Sequence, residues 1–338
     1  MAETHFSDIG KMEAIAALYK DTPFTPFEAS RFEASARDSV TTVSKVMLEG
    51  TDFDLVYFPL KHLGYKSVLA VTGELYAQMA HPATLDVNLG VSAKLDFEQV
   101  REIWGGIVAA AREHDYKSVS LDLVPSRNGL CVSVSASGVT SLLTKARRPT
   151  AKSKDLLCVS GPLGAAYLGM QVLERERARF DEGDHEGRDR RLGQYKMLVG
   201  AYLKPELNAG TVAQLEAAEI YPSQGCFITH GLADAVKRIA RTTGLGAKIY
   251  ADKIPFEGNS FQLGKETGID PISAAMNGGD DYRLLFTVPI LSLENFRRDF
   301  QTFDIIGHLA LPEAGCALVT PDGAELPLRA PGWSDMGE

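Results

Sequence analysis

The chain has 338 residues, the length of two ordinary domains or one large domain. Its 45% hydrophobic and 23% charged residues suit a protein with a buried core and exclude a wholly disordered, collagen-like or coiled-coil chain. The net charge of −9 disfavours nucleic acid or an anionic membrane as a partner. The sequence shows no uninterrupted apolar stretch of membrane-spanning length and no secretory leader, so we expect a cytoplasmic protein.

Helix and strand patterns alternate along the first half of the chain. Asp8 is placed to cap a first helix on which Met12, Ile15 and Leu18 recur at helical spacing. The patterns then predict one or two strands in 43–58, a helix over 64–80, a strand over 84–92, a helix over 97–114, and strands over 118–124 and 131–141.

A basic, proline-containing link at 144–154 predicts the domain boundary, which gives domains of 1–145 and 146–338. Beyond it we expect a buried strand at 155–161, a long helix from Ala165 and a solvated, mobile loop at 181–193. The remaining segments are predicted as a strand at GCFIT, a helix at LADAVKRIARTTG, a strand at AKIYADKIP, a helix at ISAAMN, a strand at YRLLFTVP and two short strands around Ile305 and Ala317. This alternation predicts the α/β or α+β class, in two domains.

Two glycine-rich segments stand out as candidate sites. SGPLGAAYLG (160–169) follows a strand and opens a helix, so it is either a phosphate-binding turn or a tight structural turn. NGGDDYRLLF (277–286) places two aspartates before an apolar strand, as a functional pair or a solvated cap. Asp122 interrupts an apolar strand and needs a partner or a metal if it is buried. His230 is a candidate base or ligand, or simply a histidine at a strand end.

The segments NGGDDYRLLFTVP, FITHGLADAVKRIA and LLCVSGPLGAAYLGMQVLERE together resemble the thiamine-monophosphate kinases, which are related to the aminoimidazole-ribonucleotide synthases. The resemblance implies an N-terminal α/β dimerisation domain, a C-terminal α/β domain and a homodimer. It also implies transfer of the γ-phosphoryl group of ATP to thiamine phosphate, with Mg²⁺ held by aspartates.

The resemblance further assigns roles to particular positions. It implies nucleotide binding by Asp38, Lys45, Asp122, Arg148, Gly161, Gly164 and His230. It implies substrate binding by Asp52, Gly278, Gly279, Asp280, Asp281, Tyr282 and Trp333, and it leaves Asp38, Glu74 and Asp122 as candidate Mg²⁺ ligands.

Several of these positions depart from the family pattern. Lys45, Arg37 and His230 stand where the pattern has aspartates, so the site carries cations where it would need metal ligands. We therefore expect weak Mg²⁺ binding and little or no kinase activity, with a phosphate-bearing ligand or a partner bound instead. The alternative is an active ATP- and Mg²⁺-dependent kinase, favoured if Asp52 or Asp54 takes the place assigned to Lys45.

Overall fold

A computed structural model describes residues 9–183 and 187–330. The chain forms two compact units, one up to Lys145 and one from Ala146. Asp8 lies outside the described residues; the first helix, α1, spans Lys11–Tyr19. Within the described ranges, every helix is too short or too polar to cross a lipid bilayer.

The first unit contains a four-stranded sheet covered on one face by two helices. Its elements after α1 are β1 (Asp38–Leu48), α2 (Leu60–Ala77), β2 (His81–Ser92), α3 (Phe97–Glu113), β3 (Ser118–Ser126) and β4 (Cys131–Ser141); α4 (Leu142–Arg147) follows and includes the boundary at Lys145. The strand order is β1-β4-β2-β3; β2 and β3 are parallel and the other pairs antiparallel. A β-carbon on Gly138 would lie 3.2 Å from Leu75 of α2, which identifies the face that the helices cover.

The second unit contains a seven-stranded sheet. Its elements are β5 (Leu156–Val159), α5 (Ala165–Asp181), α6 (Arg188–Gln194), α7 (Lys196–Leu203), α8 (Thr211–Ala217), β6 (Gln224–Ile228), α9 (Leu232–Thr243), β7 (Gly246–Tyr250), α10 (Ser260–Thr267), α11 (Pro271–Asn277), β8 (Arg283–Val288), α12 (Leu293–Asp299), β9 (Asp304–Ala310), β10 (Cys316–Val319) and β11 (Glu325–Pro327). The strand order is β11-β10-β7-β9-β5-β8-β6. The main core lies between this sheet and α9, with Leu157, Val236 and Ile249 fully buried in it.

The structure confirms the predicted mixed helix-and-strand class but corrects several segments. The strand predicted within 43–58 ends at Leu48, and the strand predicted at AKIYADKIP ends at Tyr250.

Residues 188–193 belong to the helix α6 and not to a loop, although residues 188–190 are exposed, as the prediction of a solvated segment at 181–193 required; residues 184–186 lie outside the described residues. The segment has no apolar period, so the local pattern gave no helix signal. A tertiary contact holds it: Nε of Arg191 lies 2.7 Å from the carboxylate of Glu176 in α5, which is only 4% exposed.

Candidate functional site

Two of the candidate Mg²⁺ ligands of the first unit, Asp38 and Asp122, lie on strands at opposite edges of the sheet. Asp122 of β3 is in register with Asn88, Ser133 and Val46 on successive strands. Val46 is eight residues along β1 from Asp38, about 26 Å at strand rise.

Glu74 belongs to α2, the helix that covers one face of the sheet. Asp122 is on the other face, because its neighbours Val119 and Leu123 are buried on the helix side and alternate with it. Asp122 therefore lies apart from Asp38 and from the helical layer that contains Glu74, and the assignment of these three residues as Mg²⁺ ligands stays a prediction. The described residues contain no group of three or more His, Cys, Asp or Glu side chains able to hold a metal.

Asp122 has a basic partner. Nζ of Lys11 in α1 lies 2.5 Å from its Oδ1, and the backbone N–H of Leu123 donates to the same oxygen at 2.9 Å. The hydrogen bond from Lys11 holds the pKa of the Asp122 carboxyl below its usual range, although about half of each side chain is exposed. A carboxylate on the open face of the sheet with an ion-pair partner needs no metal to compensate its charge.

A cavity of about 540 Å³ lies beside this ion pair, at the carboxyl ends of the parallel strands β2 and β3. Its walls are mainly apolar, from Val91, Leu95 and Leu123, and two cations, Lys11 and Arg127, also line it. The sequence analysis missed both cations, because only the tertiary fold brings Lys11 and Arg127 to the same cavity. Apolar walls with two cations can bind a ligand that has a flat or apolar body and a phosphate group.

The other predicted residues of the first unit do not line this cavity. Lys45 is half-buried in the middle of β1, in register with Val134 on the helix-covered face. Asp38 accepts a hydrogen bond from the N–H of Ser35 at 3.0 Å, and Asp52 accepts one from the N–H of Leu48 at 2.8 Å. Both carboxylates therefore stabilise the turns at the two ends of β1.

The second unit brings most of its predicted site residues together. The N–H of Asp280 donates to the carbonyl of Thr229 at 3.0 Å, and that of Tyr282 donates to Ile228 at 2.9 Å, so the 279–282 loop runs along the segment that ends in His230. Asp280 and Tyr282 both have positive φ, 61° and 52°. Such strained residues persist only where the surroundings fix them. His230 itself is exposed, with Nδ1 3.0 Å from the hydroxyl of Thr229.

Asp281 is buried at the start of α5. It is 5% exposed, and neither carboxylate oxygen has a hydrogen bond of standard geometry, although the N–H groups of Gly164 and Ala166 lie near enough to lower its pKa. The N–H groups and Arg283 lower the pKa of Asp281, but burial raises it by more, so that the pKa is about 7. The helix N-terminus predicted to receive a ligand phosphate is therefore next to an acidic group of the protein itself.

The glycines of this cluster serve close packing. A β-carbon on Gly164, which has φ +74°, would lie 2.8 Å from the backbone nitrogen of Ala275, and one on Gly161 would lie 3.3 Å from the guanidinium of Arg283. Gly278 is packed in the same way against Tyr167, at 2.5 Å, and Gly279 against the carbonyl of Thr229, at 3.0 Å. The glycines thus allow the two glycine-rich segments and the end of β6 to meet.

Two predicted residues are not part of the cluster. Nε of Arg148 donates to the carbonyl of Pro222 at 3.0 Å, before β6 begins, whereas His230 follows the end of the same strand. Arg148 and His230 are therefore at opposite ends of β6. Trp333 lies outside the described residues.

Known proteins resemble this chain in sequence and in fold. No protein-family model matches it. The thiamine-monophosphate kinase of Aquifex aeolicus is 24% identical over 244 residues, 72% of this chain and 74% of the relative. That of Pyrococcus horikoshii is 27% identical over 280 residues, 81% of this chain and 79% of the relative.

Solved structures show the same fold. The solved structure of AaThiL complexed with AMPPCP and TMP has a TM-score of 0.71 at 21% identity, and the match covers 96% of this chain and 97% of the AaThiL chain. Hydrogenase maturation protein HypE in complex with ATP has a TM-score of 0.66 at 16% identity, covering 97% and 93%. The resemblance predicted from the motifs is thus confirmed: the chain is similar in sequence to the thiamine-monophosphate kinases and has their aminoimidazole-ribonucleotide-synthase-like fold.

Proposed function

We propose that this protein binds a phosphate-bearing ligand, foremost a nucleotide, without a magnesium cluster, and has weak or no kinase activity. The observation that carries the proposal is the ion pair between Lys11 and Asp122 beside the cavity at the ends of β2 and β3. A relative in the same fold binds AMPPCP and another binds ATP, which supports a nucleotide as the ligand.

The charges around the cavity favour direct binding of the phosphate. Lys11 and Arg127 supply two cations. Among the residues that the structure describes, Asp122 is the only carboxylate at ion-pair distance from Lys11. A phosphate that approaches Lys11 can form a charge-assisted hydrogen bond with the ammonium group. A Mg²⁺ ion would need several oxygen ligands in a regular arrangement, and the separated carboxylates do not offer one.

Calorimetric titration with AMPPCP, in EDTA and in excess Mg²⁺, tests this proposal. We expect similar affinity in both buffers and about tenfold weaker binding for Lys11→Met and Arg127→Met. Lys20→Met, an exposed lysine at the end of the same helix, is the matched control and should bind as the unmodified protein does. Binding that requires Mg²⁺ would contradict the proposal.

The alternative function is an ATP- and Mg²⁺-dependent kinase that acts on thiamine phosphate. The names of the relatives and the retained Gly278-Gly279-Asp280-Asp281-Tyr282 sequence favour it. Turnover of thiamine phosphate in Mg²⁺, together with Mg²⁺-dependent nucleotide binding, would establish this alternative in place of the metal-independent one.

We also propose that the first unit forms a homodimer through the open face of its sheet. Val40, Val46 and Leu48 of the edge strand β1 are 48%, 50% and 45% exposed there, and Val124 of β3 is 44% exposed. Exposed apolar side chains grouped on one face favour association. Sedimentation equilibrium should show a dimer that Val46→Glu dissociates and that Val56→Glu, in the loop after β1, leaves intact; a monomeric unmodified protein would contradict this.

A further inference from the structure

The second unit has a cavity of about 590 Å³ that belongs neither to the glycine-rich cluster nor to the site proposed above. Leu156 of β5 pairs with His308 of β9, and both line it. Their neighbours Leu157 and Leu309 are fully buried in the main core. Because side chains alternate across a strand, the cavity lies on the sheet face opposite that core.

Positive charge is concentrated in this cavity. Lys154, Lys253 and Arg297 line it and no Asp or Glu does, although the whole chain has a net charge of −9. Within residues 9–183 and 187–330, neither Lys154 nor Arg297 has a carboxylate at ion-pair distance. Lys253 lies 3.2 Å from Asp252, but both side chains are about half exposed, so water screens this pair. The cavity therefore attracts anions.

The backbone holds Lys154 in an unusual conformation. Its φ is +76°, in the left-handed region that side-chain-bearing residues rarely adopt, and its N–H donates to the carbonyl of Leu309 at 2.7 Å. Strain of this kind is often found at ligand sites, where the surrounding structure fixes it. Here the surrounding structure fixes the backbone of Lys154, a residue that lines the cavity.

The cavity also has an aromatic wall. The rings of Tyr250 and His308 are 5.8 Å apart and nearly parallel, at 28°, and the Tyr250 hydroxyl is 3.4 Å from Nδ1 of His308. Burial and the nearby Lys248 lower the pKa of His308, which keeps the imidazole neutral near pH 7. Ile290 and Ile305 add apolar surface. A flat ring can stack on such a wall.

We propose that this cavity is a second ligand site, for a small molecule that joins a phosphate group to a planar ring, as a nucleoside monophosphate does. The cations would hold the phosphate and the Tyr250–His308 wall would hold the ring. The volume is within the range of small-molecule sites. The inference does not depend on the proposed function, because no residue of the β2–β3 cavity takes part.

Titration of the full chain with AMP, followed by calorimetry, tests the inference, with adenosine and inorganic phosphate as separate probes. AMP is titrated into the unmodified protein and into Lys11→Met, and all other titrations use the Lys11→Met background, so that the cavity of the first unit contributes little. We expect AMP to bind more tightly than either fragment and to lose about tenfold in affinity in Arg297→Ser and in Lys154→Gly. Lys154→Gly removes the ammonium group and relieves the strained φ, so the variant should remain folded.

Arg298→Ser is the matched control, because Arg298 is the next residue of α12, is 70% exposed and does not line the cavity. It should leave AMP affinity unchanged. Binding of AMP that is unaffected by Arg297→Ser and Lys154→Gly, or no binding at about 5 mM AMP, would overturn the inference. AMP binding that disappears with Lys11→Met alone would also overturn it and would leave the proposed function standing.

Discussion

A β-carbon on Gly106 of α3 would stand 1.9 Å from the carbonyl oxygen of Lys61 in α2. The contact is reciprocal, because a β-carbon on Gly64 of α2 would stand 1.9 Å from the carbonyl of Ile103. The two helices that cover the first sheet therefore cross in backbone contact, and no other residue fits at the crossing.

This crossing gives a stability prediction with a control on the adjacent residue. Gly106→Ala should lower the free energy of unfolding by about 2 to 3 kcal/mol, because the helices must move apart. A β-carbon on Gly105 would meet no atom within 4 Å, so Gly105→Ala should be neutral or stabilise by up to about 1 kcal/mol through helix propensity. Urea unfolding of both variants checks this, and equal effects would show that the crossing is less tight than described.

The buried carboxylate of Glu176 should stabilise the second unit. It accepts hydrogen bonds from Nε of Arg191 at 2.7 Å and from Nη1 of Arg179 at 3.2 Å, and it is 4% exposed. Glu176→Gln removes the negative charge and leaves the partly buried guanidinium groups uncompensated, so we expect a loss of about 2 to 3 kcal/mol. Thermal or urea unfolding measures it, with the exposed Glu182→Gln as control. A loss no larger than that of the control would mean that the arginines are solvated.

Asp281 should make stability depend on pH. Its folded pKa of about 7 exceeds the ordinary 3.8, so the folded state retains a proton that the unfolded chain has released. The contribution of Asp281 to the free energy of unfolding is therefore largest below pH 4, falls as the pH rises from 4 to 7, and stays at its low value above pH 7. The total fall is at most about 4 kcal/mol.

Asp281→Asn should remove this part of the pH dependence. At pH 8 the variant should unfold at a higher urea concentration than the unmodified protein. Asp280→Asn, which keeps the buried acid, should retain the slope. Urea midpoints at pH 5 and pH 8 for the three proteins provide the comparison. A slope between these values that is the same with and without Asp281 would mean that this carboxyl is solvated in the folded state.

The ion pair between Lys11 and Asp122 is about half exposed on both sides, so its effect on stability should be small. Lys11→Met should change the free energy of unfolding by less than about 1 kcal/mol. It should at the same time raise the pKa of Asp122, because the Lys11 hydrogen bond is the main cause of its low value. Carboxyl chemical shifts followed through an acid titration measure that pKa, and an unchanged value would show that Lys11 is not its partner in solution.

The sequence by itself determined the order of most helices and strands, because apolar periodicity is a local property of the chain. β4 spans Cys131–Ser141, the same residues as the alternating pattern, and α3 ends within one residue of its prediction. The motifs around Gly279 and Gly164 indicated the fold through their resemblance to a known family, and both glycines lie at close backbone contacts in the structure.

Only the tertiary structure decided which charged groups meet. Lys11 and Asp122 are separated by 111 positions in the chain, but their side chains lie 2.5 Å apart. Arg191 lies in a helical segment that has no apolar period, and it pairs with Glu176 of α5. The strand register placed Asp38 far from Asp122, and the sheet separated Asp122 from the helical layer that holds Glu74. Electrostatic contacts depend on distances in space, and a local pattern carries no information about those distances until the sheets and helices have packed.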